Sequence, residues 1–208
     1  IDIDPWLVNP LHSTCAEVDL RENVGTEALA DDVSALFSKI KKKYKEYGMK
    51  ERKPFVIIKP DAGTYGMGVM TIKDASEVRD LTPAQRARRC VVKDGVAVTD
   101  LIIQEGVPTF ESIDDAVAEP VVYMIDRYVV GGFYRVHAER AEDENLNAPG
   151  ARFVPLAFSA SAQLPRPGVK AGASAPNRFY MYGVIARLGL VAASYELEAT
   201  DPELQNLD

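Results

Sequence analysis

The segment IIKPDAGTYGMGV, residues 57–69, joins a run of branched apolar residues to a lysine and then to three glycines. The β-branched residues that lead up to Lys59 predict a short strand, and MTIKD at residues 70–74 predicts a strand that returns beside it. The glycines would let backbone N–H groups approach an anion, and a lysine at the strand end can reach a phosphate. Two interpretations follow: a phosphate site, or a plain β-hairpin whose glycines serve only the turn.

Composition limits the class of protein. The chain has 208 residues, enough to bury a core in one large or two small domains, and 24 Lys and Arg against 31 Asp and Glu give a formal charge of −7. Such an acidic chain is not expected to bind nucleic acid through a general basic field. No apolar run approaches the roughly 18 residues that cross a bilayer, so we expect no membrane partner.

The two cysteines, Cys15 and Cys90, have neither a CxxC motif nor metal-ligand spacing. They are typical of reduced thiols, and the N-terminus lacks the basic and apolar regions of a signal peptide, so we expect a cytoplasmic protein. The sequence begins without methionine, which favours a fragment or a trimmed chain. A homo-oligomer is compatible with the sequence.

Helical and strand patterns alternate along the chain. Apolar residues at three- and four-residue steps predict a helix from Thr26 to Tyr47 that stops at Gly48. The same spacing predicts a long, largely buried helix from Phe179 to Ala199. The remaining predictions are a helix at 75–89 with a break at Pro83, strands at 101–107 and 152–158, two strands around a Gly131-Gly132 turn within 120–139, and a loop at 159–177.

The strand LIIQEGV, residues 101–107, carries Gln104 and Glu105 at its end. An adenine ring needs an apolar slot and hydrogen bonds to its edge, and a strand-end backbone together with a carboxylate or an amide can supply both. The alternative is a strand that simply emerges into solvent, where charged side chains are usually found.

Three arginines, Arg127, Arg135 and Arg140, lie on successive short strands or their edges. Period-two geometry puts Arg127 and Arg135 on one face of a sheet if no bulge or turn intervenes. Arginines beside a phosphate loop can neutralise the charge that develops during phosphoryl transfer.

The segment ENLNAPG, residues 144–150, offers side-chain oxygen atoms from Glu144, Asn145 and Asn147. Mg²⁺ takes oxygen ligands and commonly bridges one or two carboxylates and substrate phosphates. An asparagine-rich turn with capping side chains is the alternative. His12 and His137 are more typical of structural histidines than of catalytic bases, because neither belongs to a visible catalytic arrangement.

The order of these motifs resembles that of an ATP-grasp ligase, in which a strand lysine and a glycine-rich lid cover the ATP phosphates and a strand-end QE meets adenine. More closely, the chain is similar to the proteobacterial glutamate–cysteine ligase family of ATP-grasp type. The resemblance extends from about Asp4 to about Glu198 and is carried by the segments IDPWLVNP, IKPDAGTYGMGVMTIKDASEV, AEPVVYMIDRYVVGGFYRVH and ENLNAPGARFVPLAF.

This resemblance implies an α+β fold of ATP-grasp type. Two α+β lobes of mainly antiparallel sheet would hold ATP between them, and the greater length of family members implies that the fold is incomplete in this chain. Three parts are implied: an N-terminal segment with an amphipathic helix at 1–50, a small lobe with the glycine-rich lid at 51–107, and a second lobe with the arginine strands, the ENLNAPG loop and the late helix at 108–208.

The resemblance also implies ATP and Mg²⁺ as cofactors, and glutamate and cysteine as substrates. ATP would phosphorylate the γ-carboxylate of glutamate, and the amine of cysteine would displace phosphate to give γ-glutamylcysteine, the first step of glutathione synthesis. The implied catalytic residues are Arg127, Arg135 and Arg140. The implied nucleotide-binding residues are Lys59, Gly63, Thr64, Tyr65, Gly66, Met67, Gly68, Gln104, Glu105, Val107, Asn145 and Asn147, and the implied metal ligands are Glu144 and Asn147.

Two alternatives stay open at this point. Another ATP-grasp carboxylate–amine ligase, such as a glutathione synthetase-like enzyme, would share every nucleotide motif. A fragment that binds ATP without turnover would share them too.

Overall fold

The computed structural model describes residues 3–62, 66–93, 96–156 and 178–202. The chain forms two compact units, Ile1–Pro108 with Ala141–Glu144 and Thr109–Arg140 with Asn145–Asp208. Each unit contains its own four-stranded antiparallel sheet. The α+β class is therefore confirmed.

The first unit combines strands with helices that follow the predicted order. Its strands are β1 His12–Cys15, β2 Val56–Pro60, β3 Met70–Ile72, β4 Val92–Lys93, β5 Val96–Ala97 and β6 Leu101–Glu105. Its helices are a 3₁₀ turn at Pro5–Leu7, α1 Thr26–Glu46, α2 Ser76–Arg79 and α3 Pro83–Arg89. The main sheet has the strand order β1-β6-β2-β3, and β4 pairs with β5 in a separate ribbon.

Helix α1 covers one face of this sheet because its apolar residues repeat at helical spacing. Leu29, Val33, Leu36 and Ile40 are at most 2% exposed and share one core with the inward side chains of β2 and β6. Each side chain buried in this way contributes about 1.5–3 kcal/mol of hydrophobic stabilisation. The chain turns at Gly48, whose φ is +70°, as predicted for the end of this helix.

The predicted strand pair on either side of the glycine-rich segment is confirmed, since β2 and β3 are antiparallel with Val56 opposite Ile72. Residues 63–65 lie outside the described residues. Gly68 has a φ of +74°, and a Cβ there would lie 2.7 Å from a Val91 methyl carbon and 2.8 Å from Pro60 Cγ. This position therefore needs glycine both for its backbone conformation and for lack of space.

The predicted helix with a break at Pro83 is confirmed as two helices. Thr82 caps α3 through a capping box, in which its hydroxyl accepts from Gln85 N–H and the Gln85 side chain accepts from Thr82 N–H. Proline suits the first helical position because no intrahelical partner is needed for a backbone N–H there.

The second unit contains a sheet with the strand order β10-β9-β8-β7. Its elements are β7 Glu111–Ile113, β8 Ala116–Ile125, β9 Tyr128–His137, β10 Arg152–Pro155 and α4 Arg178–Thr200. Helix α4 packs against β8, and its Tyr182 hydroxyl donates a hydrogen bond to Glu111. The predicted loop at 159–177 lies outside the described residues.

The predicted turn at Gly131-Gly132 is wrong. Strands β8 and β9 are joined at Asp126 and Arg127, where Asp126 has a φ of +51°, while both glycines lie inside β9. A Cβ at Gly132 would lie 2.4 Å from the carbonyl oxygen of Val121 on β8. Gly132 thus allows β8 and β9 to approach each other closely. In the sequence, a glycine required for this reason looks the same as a glycine that marks a turn.

The predicted burial of the late helix is also wrong. Helix α4 forms where expected, but Ile185, Leu188 and Val191 are 45%, 50% and 52% exposed. Apolar residues occur on several sides of this helix, so packing against β8 leaves many of them accessible. Within the described part of the chain, no helix is long and apolar enough to cross a membrane.

The two adjacent glycines of β9 supply a matched pair of variants. We expect Gly132→Ala to lower the free energy of unfolding by about 1–3 kcal/mol, because the added methyl group meets a backbone oxygen. Gly131→Ala should change it by less than about 1 kcal/mol, since a Cβ at Gly131 has no described neighbour within 4 Å. Urea denaturation measures both, and equal stabilities of the two variants would contradict this role for Gly132.

Candidate functional site

The open face of the first sheet carries the predicted lysine. Side chains alternate along β2, so Val56 and Ile58 are buried under α1 while Ile57 and Lys59 are half-buried on the other face. Lys59 Nζ donates a hydrogen bond of 2.9 Å to Gln104 Oε1 on the neighbouring strand β6. The structure therefore brings two predicted nucleotide-binding residues together.

The charge of Lys59 is not neutralised within the described part of the chain, where it forms no ion pair. Ile102 lies opposite Lys59 in the strand register, and Ile57 lies opposite Gln104. An ammonium group beside apolar side chains and an amide can bind an anionic ligand that also has a flat apolar part.

Glu105 points in the opposite direction from Gln104, as neighbouring strand residues must. Its side chain is 4% exposed, and its Oε2 accepts hydrogen bonds from Trp6 Nε1 at 2.8 Å and from Leu11 N at 3.1 Å. The carboxylate is thus held inside the first unit through its Oε2. Val107, two residues later, is 64% exposed.

The glycine-rich segment between β2 and β3 is described in part. Gly63, Thr64 and Tyr65 lie outside the described residues, whereas Gly66 has a φ of +72° and Met67 is 52% exposed. The end of this segment next to β3 is held by Arg89, whose Nη1 donates to the carbonyl oxygen of Val69 at 2.5 Å.

A cavity of about 380 Å³ also lies in the first unit. Basic and acidic side chains line it together, and Lys73 forms an ion pair of 2.5 Å with Asp143. Interaction with Asp143 raises the pKa of Lys73. Because no predicted site residue lines this cavity, it does not contribute to the candidate site.

The second unit holds Arg135 beside a carboxylate. Arg135 on β9 lies opposite Glu119 on β8, and its Nη1 lies 2.5 Å from Glu119 Oε1. Phe153 on β10 lies opposite Arg135 on the other side. Arg135 Nε is buried and has no hydrogen-bond acceptor among the described residues. One edge of the guanidinium is thus fixed while a costly unsatisfied donor remains.

Arg127 occupies a different setting. It lies in the β8–β9 turn, where its Nε and Nη2 each lie 3.3 Å from the Tyr128 hydroxyl and its guanidinium lies 5.3 Å from the centre of the Tyr128 ring. A register shift between Tyr123 and Met124 also separates it from Arg135. Alternation along a strand would place Arg127 and Arg135 on one face only without an intervening bulge or turn, and this condition is therefore not met. Arg140 follows β9 and is exposed.

Two polar side chains of ENLNAPG accept hydrogen bonds from backbone N–H groups nearby in the chain. Glu144 Oε2 accepts from Ala141 N–H at 2.8 Å, and Asn145 Oδ1 accepts from Asn147 N–H at 2.9 Å. These contacts match the capped-turn interpretation. Among the described residues, no group of three or more His, Cys, Asp or Glu side chains could hold a metal ion. The assignment of Glu144 and Asn147 as magnesium ligands stays a prediction.

His137 is buried at 3% exposure, and both of its ring nitrogens are engaged. Nδ1 accepts from Glu139 N–H at 3.3 Å, so Nε2 carries the proton and donates to the carbonyl oxygen of Pro149 at 3.1 Å. This histidine ties β9 to the turn before β10, as expected for a structural residue.

Sequence reasoning missed two residues that hold the predicted site residues. Glu119 was not singled out because its pairing with Arg135 depends on the register of two strands. Trp6 was not singled out because its partner, Glu105, is 99 residues away in the sequence. A pairing rule for opposite charges on neighbouring strands would have found Glu119 once the true turn was known.

Together these features define an α+β protein with two antiparallel sheets, each of which carries a basic side chain held by a polar partner on the neighbouring strand. The chain belongs to the glutamate-cysteine ligase family (GshA), whose model matches residues 1–197. The predicted family is therefore confirmed.

One solved structure is closely similar to the chain. It is a crystal structure of a protein from Methylobacillus flagellatus KT that is inferred to be a γ-glutamylcysteine synthetase, with 56% sequence identity and a TM-score of 0.81. The match covers 96% of the present chain and 46% of that protein, so the chain spans about half of its length. No curated protein matches the chain significantly.

The Arg135–Glu119 pair gives a stability prediction. We expect a double-mutant cycle with Arg135→Ala and Glu119→Ala to give a coupling energy of about 0.5–2 kcal/mol, because both side chains are partly buried. Arg152 and Asp114 form a matched control pair in the same unit, with side chains 49% and 78% exposed. Their coupling should be below about 0.5 kcal/mol. Urea denaturation tests both, and a coupling no larger than that of the control pair would contradict the role of Glu119.

Proposed function

We propose that the chain is the ATP-binding part of a glutamate–cysteine ligase, which joins the γ-carboxylate of glutamate to the amine of cysteine. Membership of the family supports the reaction. The observation that carries the nucleotide site is the position of Lys59, an ammonium group that has no ion pair among the described residues and is held beside Gln104 on an open and partly apolar sheet face. ATP combines the two features that this face matches, a polyanionic chain and a flat ring.

The proposed reaction begins with a carboxylate, which is a poor electrophile. Transfer of the γ-phosphoryl group of ATP to a γ-carboxylate oxygen of glutamate gives an acyl phosphate and ADP. The amine of cysteine then attacks the acyl carbon, the bond from this carbon to the phosphate oxygen breaks, and the nitrogen loses a proton. The products are γ-glutamylcysteine, ADP and phosphate. This scheme needs no covalent nucleophile from the protein, so its residues position the substrates and neutralise charge.

In this proposal the fold is of ATP-grasp type, and the three parts of the chain have separate tasks. Residues 1–50 support the nucleotide-binding strands, 51–107 form the small lobe with the lid, and 108–208 form the second lobe. Lys59 contacts the ATP phosphates, and the backbone of Gly63, Thr64, Tyr65, Gly66, Met67 and Gly68 covers them. The strand end from Gln104 through Glu105 to Val107 receives the adenine ring, with Glu105 contributing through its backbone because its carboxylate is engaged elsewhere.

The second lobe supplies the remaining charge. Arg135 is the best supported of the proposed catalytic arginines, because its buried Nε–H has no acceptor within the described part of the chain and a bound phosphate or carboxylate would provide one. Arg127 and Arg140 are assigned further phosphate or carboxylate contacts. Asn145 and Asn147 are assigned to the loop near the reacting groups. Mg²⁺ would neutralise phosphate charge, with Glu144 and Asn147 as its proposed protein ligands.

The cytoplasm is the proposed location. Cys15 and Cys90 are both free, which suits a reducing compartment. Burial, together with a hydrogen bond to Asp32, raises the pKa of the Cys15 thiol to about 11, so this thiol is protonated and unreactive at neutral pH.

Nucleotide binding provides the first test of this function. We expect Lys59→Ala to weaken the binding of Mg·ATP by about tenfold or more, because a charge-assisted contact is worth roughly 1.5–3 kcal/mol. Lys42→Ala is the matched control, since it removes the same charge from an exposed position on α1 and should leave affinity unchanged. Isothermal titration calorimetry measures both. Wild-type affinity of Lys59→Ala for Mg·ATP would contradict the proposed phosphate site at Lys59.

Substrate specificity provides the second test. We expect the protein to release ADP with glutamate plus cysteine and not with γ-glutamylcysteine plus glycine, because only the first pair matches the proposed ligation. A coupled assay for ADP and mass detection of γ-glutamylcysteine measure the outcome. ADP release with the second pair alone would indicate a glutathione synthetase-like ligase. Binding of Mg·ATP without turnover of either pair would indicate a nucleotide-binding module.

A further inference from the structure

The N-terminal segment is fixed to helix α1 by a small polar network. Asp4 caps the 3₁₀ turn by accepting from Trp6 N–H at 3.0 Å, and it also accepts from Lys43 Nζ at 2.5 Å and from the Tyr47 hydroxyl at 2.8 Å. Hydrogen bonds from Lys43 and Tyr47 lower the pKa of Asp4 to about 2. The Trp6 ring packs at 4.9 Å from the Tyr47 ring, so its indole has a defined orientation.

This orientation aims the indole N–H at Glu105. The carboxylate of Glu105 is buried, and its described partners are Trp6 Nε1 and Leu11 N, both at Oε2. The Glu105 backbone N–H also donates to the carbonyl oxygen of Leu11 at 2.7 Å. A buried carboxylate is costly unless it is hydrogen-bonded, so these donors determine where the end of β6 lies.

The same strand end carries the proposed nucleotide contacts on its other side. Gln104 precedes Glu105 and holds Lys59 on the open face. Gly106 follows, donates its N–H to the carbonyl oxygen of Phe55 at 2.8 Å, and leaves no room for a Cβ, which would lie 2.0 Å from the Phe55 ring. Contacts on the core side therefore fix the position of the backbone at 104–106.

We infer that Trp6 is a positioning residue for the nucleotide site, acting through the buried carboxylate of Glu105 to hold the strand end that receives the adenine ring. The inference rests on the proposed ATP-binding function. Trp6 has no proposed contact with the ligand, yet it controls the affinity for nucleotide through Glu105. A purely structural Trp6 would affect stability but leave the affinity of the folded protein unchanged.

The test uses Trp6→Phe, which keeps an aromatic ring against Tyr47 and removes the indole N–H together with part of the ring system. We expect the dissociation constant for a non-hydrolysable Mg·ATP analogue to rise by about three- to tenfold, because the Glu105 carboxylate loses one of its two described hydrogen-bond donors. The kcat at saturating ATP should change by less than about twofold, because the phosphate contacts of Lys59 are untouched. Calorimetry and steady-state kinetics measure the two quantities.

Thr82→Ala is the matched control. It removes the capping box of α3 and should lower Tm by about 2–4 °C without changing nucleotide affinity. Glu105→Met supplies a second variant, because its side chain has a similar length but no oxygen that could accept from the Trp6 indole N–H, and it should weaken affinity in the same direction. Combined with Trp6→Phe it should produce little further loss, since both changes remove the hydrogen bond between Trp6 and the Glu105 side chain.

Trp6 is the one tryptophan in the sequence, so its emission reports directly on this contact. We expect the nucleotide analogue to change the emission of the wild-type protein with the same dissociation constant that calorimetry gives. Wild-type nucleotide affinity in folded Trp6→Phe, or in Glu105→Met if the former does not fold, overturns the positioning role alone. Absence of nucleotide binding by the wild-type protein overturns the proposed function and, with it, this inference.

Discussion

Burial of one face of the first sheet under α1 is the constraint on which the candidate site depends. Leu29, Val33 and Ile40 have no exposed surface, and the alternating side chains of β2 and β6 must meet them. Once Ile58 and Ile103 take the inward positions, their neighbours in the sequence have to point to the open face. Lys59 is thereby presented outward by apolar packing on the opposite side.

The same alternation divides the QE pair between two tasks. Gln104 lies on the open face, where it orients Lys59, and Glu105 lies on the core side, where Trp6 and Leu11 satisfy it. A carboxylate at the end of a strand commonly extends into solvent, but here it joins the N-terminal segment to the strand end. Residues far from the proposed ligand thus set the geometry of those expected to contact it.

In the second unit a basic side chain is also oriented by strand pairing, but the helix that packs on the sheet leaves more apolar surface exposed. Arg135 and Glu119 pair across neighbouring strands, so the arginine that is proposed to meet phosphate is oriented before any ligand is bound. Helix α4 packs on β8 but leaves much of its apolar surface exposed. The chain spans about half of the length of the similar solved protein, and a complete ligase activity is accordingly proposed for the whole protein.

The sequence by itself determined α1, the β2–β3 pair and the helix break at Pro83 through local patterns, because periodicity and capping act over a few residues. Motif order also determined the family. Only the tertiary structure decided the inward direction of Glu105, the strand role of Gly132 and the pairing of Arg135 with Glu119. Each of these depends on partners brought together by strand register or by contacts between distant segments, and no local pattern encodes such contacts.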